Sequence, residues 1–135
     1  VIKDKEIDFF VNRIEIYNPL TRENLIKMSQ DVTAVTKNIL PNQKIDCVVY
    51  GCTSGTIAAG YNSIEKKVKL AKPEAKLTTP STAAVRALKK LKIKKIAIFT
   101  PYIYYLKNEV IEFFNKENCI HRTLYDRSLR TTRND

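Results

Sequence analysis

A chain of 135 residues with 44% hydrophobic side chains, 24 basic and 14 acidic groups (net +10), three cysteines and three glycines holds material for one small domain. Roughly two-thirds of the unfolded surface can be buried at that size, which argues against disorder, and apolar runs such as Ile96-Ala97-Ile98-Phe99 fall far short of the ~20 residues of a bilayer-spanning helix. No apolar leader follows Val1-Ile2-Lys3-Asp4-Lys5, and the sparse, odd set Cys47, Cys52 and Cys119 points to a reducing cytoplasm rather than a disulfide framework.

Along the chain the hydrophobic period switches between two residues and 3.6, the pattern of an α/β protein. Residues 7–17 (IDFFVNRIEIY) alternate as a strand does. Thr21 stands where an N-cap would, ahead of Leu25, Met28, Val32, Val35 and Ile39 at helical spacing, and Pro41 ends that helix. Residues 45–50 (IDCVVY), between Asn42 and Gly51, form a continuous apolar run. Such a run predicts a strand buried on both faces of a parallel sheet, and this one is the best candidate for a central strand.

The turn GCTSGTIAAG then leads into a helix reaching about Ala71. Lys76-Leu77-Thr78 predicts a short strand. After it, Thr79 is a plausible N-cap with Pro80 at the first helical position, and Val85, Leu88 and Leu91 face the core. Residues 94–100 (KKIAIFT) predict a further buried strand, followed beyond Pro101-Tyr102 by an amphipathic helix with Leu106, Val110, Ile111, Phe113 and Phe114. Past Glu117 the pattern decays. Residues 119–124 could begin another strand, whereas RSLRTTRND has no apolar period and reads as a tail. The expected fold class is α/β, an open parallel sheet flanked by helices.

The positive charge is concentrated. Between Lys66 and Lys95 ten lysines and Arg86 stand against Glu74 alone. Such a face can attract phosphates through its long-range field, but without an interleaved aromatic motif a solvated surface is the better reading and nucleic-acid binding is not favoured. A zinc or iron–sulfur site is not expected either. Cys47 and Cys52 are five apart, no second pair exists, and His121 is the single histidine.

In an open parallel sheet, ligands bind outside the carboxyl ends of the strands. Three loops there carry small or hydroxyl-bearing residues just before a helix: Tyr50-Gly51-Cys52-Thr53-Ser54-Gly55-Thr56, Thr78-Thr79-Pro80-Ser81-Thr82, and Phe99-Thr100-Pro101-Tyr102. Free amides at such helix starts suit a carboxylate or phosphate. Cys52 sits between a strand and a helix N-terminus, where the dipole favours a thiolate, so it is a candidate nucleophile or base. Its bland reading, a small packing residue, is better suited to Cys47, which lies inside the strand, and to Cys119. Tyr102 offers a phenol to a carboxylate, or else caps the top of the core. His121, in the weakly patterned end, is not read as catalytic. Other thiol chemistries fail on spacing: a phosphatase-type loop needs arginine where Ala58 stands, a thioredoxin-type pair needs cysteine at Gly55, and a Walker-type loop is absent.

The stretches VVYGCTSGTIAAG and TTPSTAAVRALKKLKIKKIAIFTPY resemble the aspartate/glutamate racemase superfamily, and within it the maleate cis–trans isomerase, arylmalonate decarboxylase and ectoine-utilisation branch. The resemblance covers about residues 7–117. It implies two similar α/β domains with the active site between them, one cysteine from each domain, no cofactor, and a small dicarboxylate or amino-acid substrate. By resemblance Cys52 is the first-domain catalytic cysteine, Thr53 and Ser54 cradle the substrate carboxylate, and Tyr102 contacts the substrate, with Thr79 a further contact at the second loop. Residues 1–93 then correspond to the first domain without its opening strand, 94–117 to the first strand and helix of the second, and 118–135 to an irregular tail. The family's Pro-Ser-Ser-Asn turn and second cysteine have no counterpart in the chain. Slow turnover by the chain alone and self-association through uncovered apolar surface are therefore expected. The alternative reading is a non-catalytic, anion-binding module with a basic face.

Overall fold

The structure is a computed structural model. It describes residues 7–118 and 120–123, so Cys119 and most of the tail read in the sequence lie outside the described residues. The chain divides into two compact units, Val1–Ala83 and Ala84–Asp135.

In the first unit, residues 7–16 run without regular structure, contrary to the strand expected there. Alternation describes a face, but a strand also needs a ladder, and the two strands among the described residues of this unit pair with each other. The segment is held by side chains instead. Asn12 donates from Nδ2 to the Val35 carbonyl at 3.2 Å, and the Tyr17 hydroxyl donates to Asp31 Oδ2 at 3.2 Å. Lys27 Nζ lies 4.2 Å from the centroid of the Tyr17 ring.

Thr21 caps the first helix as expected, its Oγ1 accepting from the Asn24 N–H at 3.2 Å. The single helix read in the sequence is broken into α1 (Arg22–Gln30) and α2 (Val32–Lys37). At the break the Asp31 N–H turns back to the Met28 carbonyl, three residues away, at 3.2 Å. Leu25, Met28 and Val32 are buried, each contributing on the order of 2 kcal/mol by leaving water.

Strand β1 (Cys47–Val49) pairs in parallel with β2 (Lys76–Thr78), with Val48 opposite Leu77. A parallel pair needs a crossover. Here it runs through α3 (Thr53–Ala59) and α4 (Tyr61–Ala71), which meet at Gly60 with φ +81°, a conformation natural to glycine. Helix α1 packs on α3 and α2 on α4. The core between them includes Val48, Ile64, Val68 and Leu77.

The continuous apolar run does not give a strand buried on both faces. Val48 is buried, whereas Cys47 and Val49 are exposed, Val49 to 63%. Among the described residues β1 pairs with β2 alone, so it is not the central strand expected. Nor is the lysine-rich stretch uniformly solvated. Lys72 is buried, and its ammonium donates to the Leu40 and Gln43 carbonyls at 2.8 and 2.7 Å, which replace the lost water.

Helix α5 (Pro80–Lys90) begins in the first unit and runs into the second. It ends in a Schellman turn: Lys92 has φ +55°, the Ile93 N–H reaches the Leu88 carbonyl at 2.9 Å, and the Lys92 N–H reaches that of Lys89 at 3.1 Å. Val85 is buried as expected. Leu91 is 67% exposed, because the helix stops one residue before it.

The second unit continues as β3 (Lys95–Ile98), α6 (Tyr104–Lys116) and β4 (Ile120–Thr123). The two strands are parallel, Ile96 opposite His121, with α6 as their crossover. Leu106 and Val110 are buried, and the Phe113 and Phe114 rings meet edge to face at 5.3 Å. Strand β3 is not buried. Ile96 and Ile98 are half-exposed and Lys95 and Ala97 exposed, as befits a strand with one partner among the described residues. The fold is α/β, with small parallel sheets and helical crossovers.

Candidate active site

The parallel register puts the carboxyl ends of β1 and β2 side by side. Beyond the paired residues Val49 and Thr78, the Tyr50 N–H still donates to the Thr78 carbonyl at 3.0 Å. From this edge one chain enters α3 at Cys52 and the other enters α5 at Thr79. Four candidates named from sequence, Cys52, Thr53, Ser54 and Thr79, thus stand at one sheet edge. Tyr102 belongs to the second unit, where it is half-exposed two residues before α6.

Cys52 is the N-cap of α3. Its extended backbone (φ −122°, ψ 110°) lets the sulfur fold over the first turn and accept from the Gly55 N–H at 3.2 Å. The Ser54 hydroxyl is 3.8 Å from the same sulfur. Sulfur is a weak acceptor, so this cap is loose. The turn itself is fastened by other atoms: the Cys52 carbonyl accepts from the Thr56 N–H at 3.0 Å and from Thr56 Oγ1 at 2.6 Å. Cys52 and Thr53 are half-exposed, while Ser54, Gly55 and Thr56 are buried.

At Thr79 the hydroxyl is consumed. Thr79, 1% exposed, accepts from the Thr82 N–H at 3.3 Å, and its Oγ1 lies 2.9 Å from Thr82 Oγ1 and 3.2 Å from Ser81 Oγ. The Thr79 N–H in turn donates to Thr82 Oγ1 at 3.2 Å. Thr79 therefore fixes the start of α5 through bonds internal to the turn.

Two residues that the sequence reading placed in the first loop without a role complete the surroundings of Cys52. Tyr50 is 7% exposed, and its hydroxyl is buried without a partner in hydrogen-bond geometry. Its acidity is strongly suppressed, first by burial, then by the charge of Cys52 and its long contact with that thiol. Gly55 provides the space: a Cβ there would lie 2.7 Å from Tyr50 Oη, 2.8 Å from Met28 Cε and 2.9 Å from Cys52 Sγ. A glycine one turn inside a helix, preceded by a strand-end tyrosine, was the available sequence signal. Ile14, Val35, Val49, Tyr50 and Gly51 help line a mainly apolar cleft of about 100 Å³.

Cys47 does not join this group. It is exposed on β1, with its sulfur 3.8 Å from the Val48 carbonyl. Among the described residues, no cluster of three His, Cys, Asp or Glu side chains could hold a metal, and no helix is long and apolar enough to cross a membrane.

The α/β chain, with helical crossovers between parallel strands and a thiol where one strand hands over to a helix, shares its fold with solved maleate isomerase structures. Two solved structures that it resembles are of one enzyme. The maleate isomerase Iso from Pseudomonas putida S16 superposes with a TM-score of 0.66 at 21% identity, covering 79% of this chain and 47% of that one. A cysteine-to-alanine variant of that enzyme, with maleate, gives 0.59 at 23% identity, covering 79% and 46%. The chain thus spans about half the length of the structures it matches. No protein-family profile and no curated protein matches the sequence.

Proposed function

We propose that the chain is a cofactor-independent isomerase polypeptide of the maleate cis–trans isomerase, arylmalonate decarboxylase and ectoine-utilisation branch. Its substrate is a small dicarboxylate, and Cys52 is the reacting thiol. The observation that carries this reading is the half-exposed Cys52 sulfur at the carboxyl end of β1, in a fold shared with a maleate isomerase. Thr53 and Ser54, next in the chain, hold the substrate carboxylate, Thr79 shapes the adjoining wall, and Tyr102 is a further contact. Residues 1–93 then act as the first α/β domain, and 94–117 open the second. A reducing cytoplasm keeps the thiol free.

In the step itself the thiolate forms a C–S bond to one alkene carbon, and the π pair moves to the neighbouring carbon and its carboxylate. The former double bond rotates as a single bond. The pair then returns, the C–S bond breaks, and the thiolate is released with the trans acid; no electron acceptor is consumed. A neighbouring structure with maleate favours this over racemisation of an amino acid. The test is proton NMR of maleate with the protein and with Cys52→Ser. Fumarate formation that vanishes in the variant is expected, and formation that survives Cys52→Ser would contradict the reading.

A further inference from the structure

A buried hydroxyl without a partner is uncommon, because leaving one unmade hydrogen bond in a dry site costs stability. Tyr50 keeps such a hydroxyl at the floor of the Cys52 turn. The atom is not stranded in a featureless core. It converges with Cys52 Sγ on the face of Gly55 left open by the missing Cβ, the two atoms lying 2.7 and 2.9 Å from the same point. The sulfur already accepts one hydrogen bond, from the Gly55 N–H at 3.2 Å. A neutral thiol is a poor acceptor, whereas a thiolate takes several donors.

We propose that Tyr50 is the positioning residue for Cys52, its phenolic O–H swinging onto the sulfur when the thiol ionises, so that the thiolate is held between Tyr50 Oη and the Gly55 N–H. The inference rests on the reading of Cys52 as the reacting thiol and adds a residue to it. Tyr50 suits the task because its proton is hard to remove: burial keeps the phenol a donor over the whole range in which a thiol titrates. Charged groups on the packed helices are engaged elsewhere. Arg22 of α1 donates to the Ala58 carbonyl at 3.3 Å, Lys67 of α4 to Ser29 and Ser63 at 3.3 Å each, and Glu65 of α4 accepts from Tyr61 at 3.4 Å. The charge that acts on Tyr50 is that of Cys52 itself.

A structural and a positioning role separate cleanly in Tyr50→Phe. Because the hydroxyl has no partner in the resting protein, its removal should leave the melting temperature unchanged or raise it. Losing one hydrogen bond to a charged sulfur should nevertheless slow alkylation of Cys52 by iodoacetamide about tenfold at neutral pH and move its rate–pH curve up by about one unit, with the plateau rate kept. The reciprocal measurement uses Cys52→Ala, in which the tyrosine absorbance change assigned to Tyr50 should move to lower pH. An unshifted rate–pH curve in a folded Tyr50→Phe overturns the proposal and leaves the reading of Cys52 intact. A parent protein whose Cys52 reacts no faster than its Cys47 overturns both.

Discussion

The two turns at the edge of the first sheet do the same structural work with different chemistry. Each ends a strand and caps a helix with a side chain carrying one heteroatom, Cys52 on α3 and Thr79 on α5. At Thr79 the hydroxyls of three neighbouring residues satisfy one another and the turn is sealed. At Cys52 the cap is a weak sulfur contact, the side chain is half-exposed, and an unpartnered phenol lies beneath it. A closed hydrogen-bond set holds its turn in place, whereas an unfinished set leaves a donor or acceptor available for a further bond.

The sharpest way to break that contrast is to fill the space under the sulfur. Gly55→Val would drive a branched side chain into Tyr50 Oη, Met28 Cε and Cys52 Sγ, all closer than 3 Å to the first added atom. Overpacking of this kind should cost about 3 kcal/mol in a urea melt and displace the thiol as well. Next comes the cap exchange. Thr79→Ala removes the cap and leaves the Thr82 N–H without its bond, for a loss of about 1–2 kcal/mol, whereas Cys52→Ala gives up only a long sulfur contact and should cost no more than about 0.5 kcal/mol. Equal losses at the two caps would erase the distinction drawn between the turns.

A smaller effect follows from the phenol. Burial raises the Tyr50 pKa, so above the ordinary phenol value of 10.0 the unfolded chain releases a proton that the folded chain retains. Stability attached to Tyr50 is therefore fully present below pH 10 and falls as the pH rises beyond it. Melting temperatures across that range should drop in the parent and drop less in Tyr50→Phe. Parallel curves for the two would contradict the burial of this group.

Much of the scaffold was legible in the sequence because its signals are local. Thr21 as a cap, Lys76-Leu77-Thr78 as a strand, and Pro80 opening α5 each depend on a few adjacent residues. Misreadings arose where an outcome depends on neighbours far along the chain. The alternation of residues 7–17 and the apolar runs around β1 and β3 suit sheet interiors, yet among the described residues each sheet has two strands, and residues 7–17 join neither. The site divides the same way. Cys52, Thr53 and Ser54 could be picked out by their place after a strand, but the roles of Gly55 and Tyr50 come from the packing of Met28 of α1 against α3, which no local pattern encodes.

The central claim is that the thiol at the unfinished turn, Cys52, is the reactive one. It is tested most directly by measuring, on the folded protein at neutral pH, the rate at which a small haloacetamide modifies each cysteine, read out by peptide mass spectrometry. Cys52 should be modified faster than Cys47, although Cys47 is the more exposed of the two, and faster than Cys119. Modification of Cys47 or Cys119 ahead of Cys52 would contradict the claim.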